Sequence, residues 1–155
     1  MHMQFLELRI PPAVLVLLYA AMMLGLVRVG DWASLSIPAS EWIAVILALL
    51  GSAIIFKAAY SFLLVKTTVN PLKPELTITL IREGVYAISR NPMYVGFALL
   101  LLAWGVFLQN MLAILWMLTF MIYMNRFQIV PEERVLGAKF GQLYRQYCVS
   151  VRRWL

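Results

Sequence analysis

The chain has 155 residues, 63% of them hydrophobic, with a net charge of +6 and a mean hydropathy of +0.85. A soluble domain of this length would need more polar surface, so we expect a single all-α integral membrane domain over 1–155. The lone histidine (His2) and lone cysteine (Cys148) argue against a disulfide framework, a zinc site and a Ser/His or Cys/His nucleophile pair, and no metal is expected. The basic residues flank apolar segments, which disfavours nucleic acid and favours anionic headgroups.

Four apolar segments are predicted to be transmembrane helices, at about 10–27, 42–65, 92–108 and 111–127. A span needs roughly 20 apolar residues, so the third is only just long enough. Gln109-Asn110 is the only break between the third and fourth segments, which predicts a tight helical hairpin. We expect no removable signal peptide before the first span. The chain thus divides into two N-terminal spans (1–65) and a C-terminal half (66–155).

The distribution of lysine and arginine predicts the orientation in the membrane. The loop 66–91 and the C-terminal stretch are basic, whereas the hairpin turn is uncharged and the first loop carries only Arg28. The positive-inside rule therefore places both termini and the 66–91 loop in the cytoplasm. The basic residues on that side are Lys66, Lys73, Arg82, Arg90, Arg126, Arg134, Lys139, Arg145, Arg152 and Arg153.

The 66–91 loop is long, and long loops are often functional. Pro71 and Pro74 stiffen its start, residues 76–80 alternate as in a short extended piece, and Gly84 predicts a turn. After the fourth span, 131–147 is predicted to be an amphipathic helix that lies in the headgroup plane or caps the bundle. Its apolar positions are Leu136, Phe140, Tyr144 and Tyr147, and its polar positions are Arg134, Lys139, Gln142 and Arg145.

Two polar clusters stand at the ends of the hairpin, 90–96 and 131–133. Each has a plain structural interpretation: Asn91-Pro92 is a favoured helix start, and Glu132-Glu133 complements a helix dipole. Tyr94 and Gly96 are not explained by capping, and would offer a phenol and a gap at the cytoplasmic end of the span. Lys57 is interpreted either as a snorkelling side chain or as part of an intramembrane site.

The C-terminal half resembles the isoprenylcysteine carboxyl methyltransferase and phospholipid methyltransferase family of integral membrane enzymes. The resemblance covers about 66–155 and rests on residues in the family's order and spacing. These are Gly84-Val85-Tyr86, Arg90-Asn91-Pro92-Met93-Tyr94-Val95-Gly96, Glu132-Glu133, Phe140-Gly141, Tyr144, Tyr147 and Val151-Arg152-Arg153-Trp154. Asn91 stands where eukaryotic members have histidine, which fits a prokaryotic enzyme. Val85 and Arg152 stand where the family often has proline.

The resemblance implies S-adenosylmethionine as the methyl donor, bound by the C-terminal half in a pocket unrelated to a Rossmann fold. It implies cofactor contacts from Gly84, Val85, Tyr86, Arg90, Asn91, Pro92, Tyr94, Glu132 and Glu133. Arg90 would hold the cofactor carboxylate, Tyr94 would face the sulfonium, and the acids would accept from ammonium or ribose hydroxyls. Arg90, Tyr94 and Glu133 are the candidate catalytic residues.

The resemblance implies a lipophilic acceptor that arrives laterally from the bilayer. An isoprenylcysteine-type carboxylate, a lipid amine and a thiol all remain open, and the last two would need a base such as Glu133 or a tyrosine. One alternative is a membrane reductase of the related sterol reductase fold using NADPH, although such chains have more spans. The other is a non-enzymatic four-span protein, such as a transporter or an assembly factor. The absence of Asp and Glu within the spans weakens the transporter interpretation.

Overall fold

The computed structural model describes residues 6–30, 33–65 and 72–155. His2, Lys66 and Pro71 lie outside the described residues. Within these ranges the chain forms five α-helices: α1 (Pro12–Val29), α2 (Ser40–Leu64), α3 (Pro92–Phe107), α4 (Met111–Met124) and α5 (Val130–Ser150). The same ranges contain no β-strand, so the predicted all-α class is confirmed.

Two helices among the described residues are long and apolar enough to cross a membrane. They are Ser40–Leu64, with a mean hydropathy of 2.2, and the continuous helical stretch Met111–Ser150, with 1.3 in its apolar part. Two further apolar helices are shorter than the 18 residues expected of a span: Pro12–Arg28 and Pro92–Phe107. Four crossings and the cytoplasmic placement of the termini therefore stay predictions.

The third and fourth apolar segments form α3 and α4, which pack against each other and are joined by a short turn. Gln109 has a φ of 48°, and Asn110 caps α4 by accepting a hydrogen bond of 3.1 Å from the Ala113 amide at Oδ1. The side-chain amide of Gln109 also donates a hydrogen bond to the Ser40 hydroxyl, with 2.9 Å between Nε2 and Oγ. This bond ties the hairpin turn to the start of α2.

Two glycines bring α2 and α3 into backbone contact. A Cβ atom on Gly96 would lie 2.7 Å from the carbonyl oxygen of Gly51 and 2.5 Å from Cγ1 of Ile55. Small residues allow this approach, which is a common way of packing membrane helices. The prediction that Gly96 opens a gap at the polar cluster is therefore wrong, because its missing side chain is used for contact with α2.

The apolar core lies between α1, α3 and α4. Its fully buried side chains include Met23 of α1, Leu101 of α3, and Phe120 of α4. The Trp104 indole on α3 donates to the Ala20 carbonyl of α1 at 3.1 Å.

A π-helical turn, Asn125–Ile129, separates α4 from α5, so the helix continues past the predicted span. The tail predicted over 131–147 is helical, but Gly141 (φ 53°, ψ −121°) breaks its regular geometry. The extended piece predicted over 76–80 forms no strand, and this segment begins with a 3₁₀ turn, Pro74–Leu76. Such a turn satisfies backbone groups locally and needs no pairing partner.

The segment before α1 is fastened to the π-helical turn. The Glu7 carboxylate pairs with Arg126 at 2.9 Å and with Arg134 at 3.3 Å. The Leu8 amide donates to the Phe127 carbonyl at 3.0 Å. These contacts hold the start of α1 beside the start of α5.

Candidate active site

A cavity of about 330 Å³ lies where α3 and α5 begin, and residues between 74 and 81 also line it. Most of its wall is apolar, and its charged side chains are Arg90, just before α3, and Glu132 and Glu133, in the first turn of α5. Six of the predicted site residues line it: Tyr86, Arg90, Asn91, Tyr94, Glu132 and Glu133. The other three predicted site residues, Gly84, Val85 and Pro92, are not among the residues that line the cavity.

The backbone explains how the three residues without a lining role contribute. Pro92 is the first residue of α3, where its fixed φ starts the helix two residues before Tyr94. Gly84 has a φ of 61° at the start of the 3₁₀ turn Gly84–Ala87, a conformation that favours glycine. The turn delivers Tyr86 to the cavity, and Val85 is its second residue.

Glu133 is held by two arginines. Arg90 Nη2 lies 3.0 Å from Glu133 Oε1, and Arg153 approaches both oxygens, with Nε at 3.1 Å from Oε1 and Nη2 at 2.6 Å from Oε2. The hydrogen bonds that Arg153 donates to Glu133 raise the pKa of Arg153. Arg153 Nη1 also donates to Asn125 Oδ1 at 2.9 Å. The negative charge of Glu133 is therefore neutralised by the protein itself.

Glu132 has different partners, although it is adjacent in sequence. The Tyr94 hydroxyl donates a hydrogen bond to Glu132 Oε1 at 2.5 Å, and the side-chain amide of Gln128 donates to the same oxygen at 2.6 Å. Both donors are uncharged, and the ion pairs among the described residues do not include Glu132. Glu132 is thus a partly buried acid that lines the cavity and has no cationic partner in that part of the chain.

Arg90 keeps one donor unused. Its Nε is buried and has no hydrogen-bond partner among the described residues, while Nη2 contacts Glu133. An unpaired buried N–H costs free energy, so this guanidinium is not saturated by its protein contacts. An acceptor placed at this edge of the cavity would satisfy it.

The tail after α5 is bonded to the loop before α3. The Arg90 amide donates to the Arg152 carbonyl at 2.9 Å, and Asn91 Nδ2 donates to the Arg153 carbonyl at 2.9 Å. Asn91 occupies the N-cap position of α3, as predicted, but its side chain makes no capping bond. Its amide is used to hold the tail, which brings Arg153 to Glu133.

Aromatic side chains close another side of the cavity. The Tyr147 hydroxyl donates to the Tyr86 carbonyl at 2.7 Å, and Phe62 meets the Tyr86 ring edge-on at 5.6 Å between centroids. Burial raises the pKa of Tyr86 far above its usual value, so its phenol stays protonated. This wall is uncharged and can stack or contact an apolar group.

Apolar side chains also line the cavity. They come from residues that precede or begin α1 and from α3 and α5: Pro11, Pro12, Ala13, Met93, Phe97 and Leu136. A ligand with a polar part and an apolar part would find both kinds of surface in this lining. Sites of this volume and mixed lining are typical of small-molecule binding, for which cavities span about 300–1,000 Å³.

Three contributors were not singled out from the sequence as site residues: Asn125, Gln128 and Arg153. Arg153 stood in the tail pattern, but its contact with Glu133 crosses 20 residues. Asn125 and Gln128 are polar residues at the end of an apolar run, which is the signal that could have identified them. Lys57, by contrast, is exposed on α2 and does not line the cavity.

Comparison with known proteins gives a family and one relative. The sequence model of the family described as phospholipid methyltransferase matches residues 39–143. An uncharacterized protein of Haemophilus influenzae is 49% identical over 63 residues, which is its full length and 41% of this chain. The family match runs from the start of α2 into α5 and includes both glutamates and the whole of α3.

Proposed function

We propose a function for this chain from the family to which it belongs, the phospholipid methyltransferase family. The chain is a membrane enzyme that transfers a methyl group from S-adenosylmethionine to a lipophilic acceptor. The observation that carries the proposal is the cavity of about 330 Å³, whose lining combines two differently paired acids with many apolar side chains. A charged cofactor and an apolar acceptor require this combination.

The residues around the cavity suit the polar parts of this cofactor. Glu132 offers a carboxylate oxygen to an ammonium group or to ribose hydroxyls, because its present partners are neutral. Arg90 offers an unsatisfied donor for a carboxylate. Tyr86 offers an aromatic surface for a flat ring. When bound, S-adenosylmethionine supplies an electrophilic methyl group on a positively charged sulfur.

We assign the two glutamates different roles. Glu133 fixes Arg90 and Arg153 and thereby holds the tail against the start of α3. Glu132 is the acid that meets the ligand. For an acceptor that must lose a proton, Glu132 is the better placed base, because its partners are neutral while both oxygens of Glu133 are already bonded to arginines. A carboxylate acceptor is already ionised and would use neither.

The rest of the reaction would depend on placement. Methyl transfer of this type needs donor and acceptor in line, and a site that excludes water and holds both groups supplies much of the rate enhancement. The apolar wall that includes Met93, Phe97 and Leu136 would hold the acceptor's hydrocarbon part. We place the acceptor's route on this side, laterally from the bilayer.

Calorimetric titration of the detergent-purified protein tests the proposal. We expect binding of S-adenosylmethionine and of its demethylated product, and no binding of NADPH. Glu132→Gln should weaken the binding at least tenfold, since a charged hydrogen bond contributes about 1.5–3 kcal/mol. Glu41→Gln, an exposed acid at the start of α2, is the matched control and should bind as the wild type does.

The alternatives give different outcomes in the same titration. Binding of NADPH alone would favour a reductase, and binding of none of the three ligands would favour a non-enzymatic role. A second measurement addresses the acceptor class. Proteoliposomes incubated with methyl-labelled S-adenosylmethionine should transfer label to the organic-soluble fraction, and label confined to the aqueous phase would contradict a lipophilic acceptor.

A further inference from the structure

The π-helical turn Asn125–Ile129 lies directly before the two glutamates. A π turn widens the helix by using i→i+5 hydrogen bonds, and it changes the direction in which all later side chains project. Such turns are rare and occur frequently at functional sites. Two polar side chains of this turn, Asn125 and Gln128, contact residues that surround the cavity.

Gln128 is almost completely buried, with 2% of its surface exposed. A buried amide is costly unless its hydrogen bonds are made, so its position is not explained by apolar packing. Its Nε2 donates to Glu132 Oε1 at 2.6 Å, and the Tyr94 hydroxyl donates to the same oxygen. Because both donors use Oε1, the second oxygen of this cavity-lining carboxylate remains for a ligand.

Asn125 acts on the other glutamate in a parallel way. Its Oδ1 accepts a hydrogen bond from Arg153, whose remaining nitrogens hold Glu133. One turn of helix therefore orients the partners of both acids. An uninterrupted α-helix would not direct the side chains before and after this turn in the same way, since each residue adds about 100° of rotation.

We infer that Gln128 is a positioning residue, which fixes Glu132 through one oxygen so that the other oxygen faces the cavity, and which stabilises the ionised carboxylate. The inference rests on the proposed function in one respect: the ligand that Glu132 meets is taken to be the cationic cofactor. The other ionisable groups that face Glu132 are Tyr94, Tyr86 and Glu133. Tyr94 is a neutral hydrogen-bond donor to Glu132, and Tyr86 is an uncharged part of the cavity lining. Glu133 is already paired with two arginines.

Infrared titration of the purified protein tests the inference without a ligand. The carbonyl band of a protonated Glu132 is identified as the band that Glu132→Gln lacks, and its midpoint is followed with pH. In Gln128→Met, which keeps the side-chain size but removes the donor, the midpoint should rise by about one pH unit. Gln142→Met makes the same change at an exposed position of α5 and should leave the midpoint unchanged.

An unchanged midpoint in Gln128→Met would overturn the inference. If Gln128→Met does not fold, Gln128→Asn is measured in its place, because it keeps the amide but shortens its reach. A purely structural role would lower thermal stability without moving the band. The shift of the midpoint therefore separates positioning from packing.

Cofactor affinity provides a second readout. In Gln128→Met, binding of S-adenosylmethionine should be at least fivefold weaker than in the wild type at neutral pH and should recover as the pH is raised. Loss that no pH restores would indicate structural damage and contradict the inference. Failure of the wild type to bind would count against the proposed function, while the infrared midpoints would still decide the role of Gln128.

Discussion

The Tyr94 hydroxyl donates a hydrogen bond of 2.5 Å to Glu132 across 38 residues of sequence, and so joins the first turn of α3 to the first turn of α5. This bond is made by an uncharged donor to an acid that forms no ion pair with the residues that the structure describes. It connects the two ends of the α3–α4 hairpin directly at the cavity. The relationship makes Tyr94 a support for Glu132 as well as a wall of the site.

Tyr94→Phe should therefore weaken cofactor binding without unfolding the protein. The substitution removes the hydroxyl and keeps the ring, so packing against the core is preserved. Loss of one donor to this partly buried carboxylate should reduce affinity by roughly tenfold, since hydrogen bonds to charged groups contribute about 1.5–3 kcal/mol. Calorimetric titration measures the affinity, and Tyr60→Phe, on the exposed face of α2, is the control. Equal affinities in the two variants would contradict the prediction.

Arg153→Lys should lower thermal stability even though the charge is kept. The guanidinium contacts both oxygens of Glu133 and also Asn125, a geometry that a single ammonium cannot reproduce. Because this side chain is partly exposed, we expect a modest loss of about 1–2 kcal/mol. Arg152→Lys changes the neighbouring exposed arginine and should be neutral. Thermal unfolding in detergent provides the comparison, and a neutral Arg153→Lys would mean that the bidentate contact is unimportant.

Gly96→Ala should destabilise the protein through helix packing. The added methyl would meet Cγ1 of Ile55 at 2.5 Å and the Gly51 carbonyl at 2.7 Å, so α2 and α3 must separate. Overpacking of this kind costs about 1–3 kcal/mol. Gly25→Ala, in α1, meets no atom within 4 Å and should be neutral or stabilising, because alanine favours helix. A Gly96→Ala melting temperature at or above that of the wild type would argue against the close contact.

Glu7 should make the stability of the protein depend on pH in the acid range. The hydrogen bond from Arg126, assisted by Arg134, lowers the pKa of Glu7 below its usual value of 4.5. A lowered pKa in the folded state means that the stabilisation is present above the usual value and is lost as pH falls through the lowered one. The difference in melting temperature between wild type and Glu7→Gln should therefore shrink as the pH is lowered below 4.5. A difference that is constant with pH would exclude this ion pair as its source.

The helices and their connections could be predicted because each depends on local chemistry. Pro92 marks the start of α3, and the polar pair Gln109-Asn110 interrupts a long apolar run, so both boundaries are readable from a few residues. The role of Gly96 was not readable in the same way. Its function depends on Gly51, 45 positions earlier by their numbers, and a single glycine does not indicate which helix it will meet.

The site could be predicted as a set of residues but not as a set of partnerships. The sequence places Arg90 and both glutamates at one end of the hairpin, and the structure gathers them around one cavity. The sequence did not indicate that Arg90 pairs with Glu133, or that the hydrogen-bond donors to Glu132 are neutral. That distinction depends on a π-helical turn, for which the sequence carries no strong rule, and on a tail that returns to the start of α3.

The two glutamates provide the sharpest test of that distinction, because identical substitutions at adjacent positions should change different properties of the protein. Glu133→Gln leaves Arg90 and Arg153 without their carboxylate, so it should lower thermal stability by roughly 2 kcal/mol or more. Glu132→Gln replaces an acid whose partners are neutral, so stability should change little. Its cofactor affinity should nevertheless fall at least tenfold, because the carboxylate that meets the ligand is lost. Thermal unfolding and calorimetry on both variants give four values, and a Glu132→Gln variant that is unstable but binds normally would reverse the assigned roles.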